Sequence, residues 1–221
     1  GAWEPVTEGE ATLPDAVQAA FDQATEHLAG IDLTPLAYYA AQVVEGMNYQ
    51  ILCRSALVTE EPVYGLQILR LYTDPDGNAE ILDITPFDLA DHTEGPGGDL
   101  PEGDLPGGWY VPEDHSIVPL PEEVQAAFDR AIEGFGGNDL EPMAYLGSQV
   151  AAGVNYAILC HSTLAAETSV DSIQVVTVYA PIDGEPEIIN IHTLELKPAE
   201  PAPQAEDVPE VGIFWWQKYV R

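Results

Sequence analysis

Gln42-Val43-Val44-Glu45-Gly46-Met47-Asn48-Tyr49-Gln50-Ile51-Leu52-Cys53 decides the reading of this chain, because it is written twice. It returns as Gln149-Val150-Ala151-Ala152-Gly153-Val154-Asn155-Tyr156-Ala157-Ile158-Leu159-Cys160, an offset of 107 residues (42 to 149). The same offset carries Leu13-Pro14 onto Leu120-Pro121, the run Val17–Asp22 onto Val124–Asp129, and Asp76-Gly77 onto Asp183-Gly184. Residues 13–89 align with the later copy without a gap, at roughly half identity. Solenoid repeats run to about 20–50 residues, so a period this long marks two whole units rather than an array.

Within each copy the hydrophobic period changes along the chain. Val17, Ala20, Phe21, Ala24 and Leu28 recur at helical spacing, which predicts a helix from about Pro14 to Leu28 ended by Gly30. The equivalent stripe is Val124, Ala127, Phe128, Ala131 and Phe135, ended by Gly136-Gly137. Strands are expected over 36–43, 48–57, 65–72 and 79–84, with turns at Glu45-Gly46 and at Asp74-Pro75-Asp76-Gly77-Asn78. Short turns imply antiparallel neighbours, and a helix laid on such a sheet gives an α+β unit of four or five strands.

The strand 48–57 also predicts which side faces the helix. Tyr49, Ile51, Cys53, Ser55 and Leu57 equal Tyr156, Ile158, Cys160, Ser162 and Leu164, whereas Gln50 stands against Ala157 and Arg54 against His161. Alternate side chains leave a strand on opposite faces, so the invariant set is expected on the helix and both cysteines in the core.

The domain reading is a first unit over 1–89, a Gly/Pro/acidic linker over 90–106, a second unit over 107–197, and a Pro/acidic linker with an apolar tail over 198–221. Lys and Arg number 6 against 38 Asp and Glu, a net charge of −32. Such a surface repels phosphate backbones and anionic lipid heads, which sets aside nucleic acid and membrane surfaces as partners. No apolar run approaches the roughly 18–20 residues of a membrane span. No signal peptide is visible, and the chain opens on Gly1 rather than Met, which is expected of an added first residue on a chain whose export signal has been removed.

The order of a Gly-Trp lead-in, a helix, a strand ending in Gln-x-x-x-Gly, then Asn-Tyr and a second strand resembles the cystatin family of papain-like cysteine protease inhibitors. The motif residues are Gln42, Val43, Val44, Glu45 and Gly46 with Asn48-Tyr49, and Gln149, Val150, Ala151, Ala152 and Gly153 with Asn155-Tyr156. Gly108 and Trp109 are similar to the opening of the family's plant members. The resemblance implies two tandem cystatin-like domains and reversible inhibition, with the Gln-x-x-x-Gly hairpins and the Gly108-Trp109 lead-in entering the protease cleft. It also implies a secreted or cell-surface protein whose partner is a papain-like cysteine protease or another extracellular protein. The alternative is a non-inhibitory extracellular binding or adhesion module on the same scaffold. The sequence departs from the family pattern at Glu45, at Ala151 in place of the central Val, and in a second hairpin without Trp.

No enzymatic chemistry is expected. The histidines His27, His92, His115, His161 and His192 make no metal spacing, no nucleophile–base pair recurs in both units, and no cofactor motif is present. Asp74–Asn78 has acidic residues like a calcium loop, but Pro181 replaces Asp74 in the second copy, and a plain hairpin turn is expected.

Overall fold

A computed structural model describes residues 2–6, 13–93, 108–113, 119–136, 138–164 and 170–196. Gly1, Gly107, Gly137, most of the segment 90–106 and the tail 198–221 lie outside the described residues.

The first unit runs β1 (Glu4–Pro5), α1 (Asp15–Thr25), β2 (Ile31–Val44), β3 (Gly46–Leu57), β4 (Tyr64–Thr73) and β5 (Ala79–Pro86). A helical turn, α2 (Ala90–Thr93), follows. The second unit runs α3 (Glu122–Glu133), β6 (Asp139–Ala151), β7 (Gly153–Leu164), β8 (Val170–Pro181) and β9 (Glu187–Thr193). Each unit is one antiparallel sheet in sequence order, β1-β2-β3-β4-β5 and β6-β7-β8-β9, so the chain is α+β with two antiparallel sheets. In place of a fifth strand the second sheet has one bridge, Tyr110 to Ser148.

Both helices open on a proline N-cap, Pro14 and Pro121, with acidic residues in the first turn, where the helix dipole favours them. Helix α1 ends at Thr25, short of the expected Leu28, and β2 begins at Ile31, well before the expected Leu36. Gly30, at φ +84°, makes the turn into β2 rather than capping the helix. The segment read as a linker from residue 90 begins with α2, which folds against the second sheet.

Three apolar clusters explain why the strands are so hydrophobic. Val17, Ala20 and Phe21 of α1 meet Tyr49, Ile51, Cys53, Leu69 and Leu71 of the first sheet. Val124, Ala127, Phe128 and Ala131 of α3 meet Ile158, Cys160, Val176 and Val178 of the second. Tyr49, Ile51 and Cys53, with Ile158 and Cys160, therefore pack toward the helices as expected, whereas Leu164 at the end of the same predicted face is exposed; Cys53 and Cys160 are buried free thiols.

The third cluster was not anticipated. Leu36, Tyr39, Ala40, Leu52 and Leu66 share one core with Met143, Leu146, Ala157, Leu159, Ile173 and Val175. The two sheets pack on each other through the faces turned away from their helices, giving four layers: helix, sheet, sheet, helix. Tyr39 is buried in this seam, where its hydroxyl donates to Gln50 Oε1 at 2.8 Å. A phenol without that acceptor would carry a desolvation cost of roughly 1–3 kcal/mol. Beside the seam, Arg54 donates to Thr34 Oγ1 at 3.1 Å and to the Glu113 carbonyl, tying the first sheet to the lead-in of the second unit.

Candidate functional site

The β2–β3 and β4–β5 turns lie side by side at one end of the first sheet, since Met47 is the Cα partner of Thr73. The β6–β7 and β8–β9 turns do the same in the second, where Gly153 is the partner of Pro181. Each pair of turns makes a two-hairpin tip.

The tips are built rigidly. Gly46 and Gly153 hold φ of +123° and +140°. A Cβ at Gly46 would fall 2.1 Å from the Thr73 carbonyl oxygen, and one at Gly153 would fall 2.2 Å from that of Ala180. Glycine is therefore required twice over, for conformation and for space. A tyrosine from the neighbouring hairpin braces each turn. The Tyr72 hydroxyl donates to the Glu45 carbonyl at 2.6 Å, and Tyr179 to the Ala152 carbonyl at 2.7 Å. Local desolvation, helped by the carboxylates of Asp74, Glu45 and Glu80, raises the Tyr72 phenol above its ordinary pKa and keeps the donor proton in place.

The glutamines of the repeated motif are occupied within the fold. Gln42 is buried, and its Oε1 accepts from Asn48 Nδ2 at 2.7 Å. Gln149 accepts from Asn155 Nδ2 at 3.0 Å. These pairs close the base of each hairpin, and they explain why glutamine precedes the turn and asparagine follows it in both copies. What the tips present outward is different: Val43 at 64% and Val150 at 70% exposure, with Glu45 and Ala152 exposed and Val44 and Ala151 half-buried. The residue that sequence reasoning missed is Ile182, 82% exposed beside Gly153 on the adjacent hairpin. Its signal was the Pro181-Ile182 step, an apolar residue in a turn that is otherwise polar.

The two tips differ in charge. The first carries Glu45 and the Asp74–Asn78 turn; the second carries Ala152, Pro181 and Ile182. Asp74 organises the first-unit turn. Its Oδ1 accepts from the backbone N–H groups of Asp76 and Asn78 at 2.9 and 2.8 Å, and its Oδ2 from Asn78 Nδ2 at 2.7 Å. Those bonds, the one from the Asn78 side chain foremost, hold its carboxyl below the usual range. Among the described residues no group of three or more His, Cys, Asp or Glu could hold a metal ion, and no helix is long and apolar enough to cross a membrane.

The lead-in segments lie close to the tips without being free of the body. Glu4 and Pro5 pair with Ala41 and Ala40, and Trp3 packs half-buried on the shared core. Trp109 does likewise, while Gly108 is exposed. The structure thus brings Gln42–Gly46 together with the Asp74–Asn78 turn, and Gln149–Gly153 together with Ile182, and it turns Trp109 inward.

The fold and its paired tips define an α+β protein of two antiparallel sheets, each backed by one helix. No protein-family model matches the chain, and a search of curated proteins finds no match.

Proposed function

We propose that the chain is a secreted or cell-surface inhibitor of papain-like cysteine proteases, and that its second unit, a cystatin-like domain, supplies the better wedge. The observation that carries this reading is the second tip. Val150 and Ile182 stand exposed on two adjacent hairpins whose backbone is fixed by Gly153 and by the Tyr179 brace. A preformed apolar edge loses little conformational freedom on entering a cleft, so most of its burial is available as affinity. Glu45 places a carboxylate at the matching point of the first tip, and stripping water from an unpaired carboxylate costs more than the methyl groups that Ala151 lacks relative to Val44.

The test is titration of papain with the full chain and two variants. Ala152→Glu is expected to weaken inhibition by about tenfold or more, because the added carboxylate has no partner in the tip. Glu45→Ala is expected to improve the weaker first site. If neither change moves the inhibition constant, the hairpins do not enter the cleft.

A second reading is supported by the inward-turned residues. Gln42, Gln149, Trp3 and Trp109 all have structural contacts, so the motif also fits a scaffold that binds another extracellular protein without blocking a protease. Absence of papain inhibition by the native chain would favour it.

A further inference from the structure

The contact between α2 and the second sheet contains two imidazoles that no part of the proposed function uses. The His92 ring lies flat on Phe87, with centroids 4.2 Å apart and planes 7° from parallel. The edge-on ring of His192, from β9, sits 5.0 Å away at 74°. Asn190 Nδ2 of the same strand donates to the His92 carbonyl at 3.2 Å. Phe87 and Leu89 are buried members of the shared core. Leu89 lies over Gly147 of β6, where a Cβ would come within 3.0 Å of Leu89 Cδ1. The stack therefore lies across the boundary between the units and continues into the seam that joins their sheets.

We propose that Phe87, His92 and His192 form an acid-releasable clamp, which holds α2 and the first sheet on the second sheet while both imidazoles are neutral and loosens when they are protonated. Nδ1 of His92 is buried without a hydrogen-bond partner, so a proton placed there has no acceptor. A charged His92 would also face His192, and a second proton on that ring adds like-charge repulsion. Burial first, and His192 second, push the His92 imidazole below its ordinary pKa.

The charged groups around the clamp do not cancel this. Asp91 is exposed on α2, and Asp88 Oδ1 already accepts from the Ala90 N–H at 2.9 Å; both pull the pKa upward, but less than burial lowers it. On β9 the other ionisable group is Glu187, at the opposite end of the strand from His192. On β8 the ionisable groups are Asp171, which lies 3.0 Å from His161 Nε2, and Tyr179, which braces the tip. The folded state binds the proton less well than the unfolded chain, so this contact stabilises fully above the free imidazole value of about 6.5 and weakens as pH falls through it toward the folded value.

The inference does not depend on the protease reading, and its test uses no protease. Amide hydrogen exchange of the full chain is compared at pH 7.5 and 5.0 after correction for intrinsic exchange, alongside an NMR titration of the imidazoles. Wild type is expected to lose protection by about tenfold in segments 87–93 and 143–147 at the lower pH, while the helix-facing strand 49–53 keeps its own. His92→Phe, which preserves a stacked ring and removes the charge, is expected to stay within about twofold. His192→Phe, which leaves one charge of the pair, is expected to lose less than wild type. Equal loss in wild type and both variants overturns the proposal, as does unchanged protection in wild type. Should His92→Phe fail to fold, the wild-type titration decides alone, because a His92 imidazole titrating at or above the free value also overturns it.

Discussion

Gly153→Ala measures how rigid the second tip is. The new methyl group would lie 2.2 Å from the Ala180 carbonyl oxygen and 2.8 Å from Pro181 Cα, both backbone atoms that cannot swing aside as a side chain would. Relief to 3.0 Å or more requires the ends of β7 and β8 to separate. That sacrifices a backbone hydrogen bond of about 1 kcal/mol and loosens the Tyr179 brace. Holding an L-residue at φ +140° adds roughly 1–3 kcal/mol. The sum is about 3 kcal/mol, or a melting point lowered by roughly 8 °C for a chain of this size. Two controls separate the contributions. Gly77, at φ +89° with no atom within 4 Å of a built Cβ, carries the conformational cost alone, so Gly77→Ala should cost about 1–2 kcal/mol. Gly134, at φ −99° and equally open, carries neither, so Gly134→Ala should cost nothing or stabilise slightly. The assay is urea unfolding of all three full-length variants. If Gly153→Ala costs no more than Gly77→Ala, the turn relaxes freely, and the picture of a preformed edge at Val150 and Ile182 is wrong.

Two further outcomes are expected. Cys53 and Cys160 lie in the two helix-facing cores, and burial pushes both thiols far above their ordinary pKa. Native protein should therefore react with a thiol reagent orders of magnitude more slowly than urea-unfolded protein, and rapid native labelling would contradict the packing. Asp74 has a folded pKa held below its unfolded value, so its stabilising bonds are fully present above the unfolded carboxylate value of about 3.9 and disappear as pH falls through the folded one. Asp74→Ala should destabilise the 74–78 turn at pH 7 and make little difference at pH 2, read by hydrogen exchange of Asp76–Ala79; an equal cost at both pH values would remove the carboxylate from the explanation.

The repeat made much of this architecture legible. Two copies of one sequence must bury equivalent helix faces, and the alternating identical residues Tyr49, Ile51 and Cys53 lie under α1, although Leu52, also identical in both copies, faces the seam instead. The varying positions were legible only as the other face. Gln50 accepts from Tyr39 where Ala157 packs in the shared core, and Arg54 reaches the Glu113 carbonyl where His161 lies against Asp171, so the surroundings on that face are not alike in the two copies. A signal for the sheet-on-sheet seam was present in Leu36-Ala37-Tyr38-Tyr39-Ala40-Ala41, which is apolar on both faces where a half-solvated strand would alternate. Register shifts between Pro35 and Ala37 and between Tyr38 and Ala40 blur that alternation and hid it. At the tips, the sequence marked Gly46 and Gly153 correctly as turn residues. It gave no indication that Gln42 and Gln149 are held by Asn48 and Asn155, because a buried amide pair and an exposed binding amide are written with the same letters.

The shared core has a consequence for how the molecule can be divided. Each sheet presents to its neighbour an oily surface that would be a liability on a free-standing unit, exposing side chains such as Leu52 and Leu159 that are fully covered in the intact chain. The covalent connection keeps that neighbour at an effective concentration in the millimolar range or above, far beyond what two separate polypeptides reach in dilute solution. The halves are thus a heterodimer made obligatory by synthesis on one ribosome, each acting as a solubilising cover for the other. A cut between residues 93 and 108 would leave both sheets paired at first, then let them drift apart on dilution and clump through the faces that had been hidden.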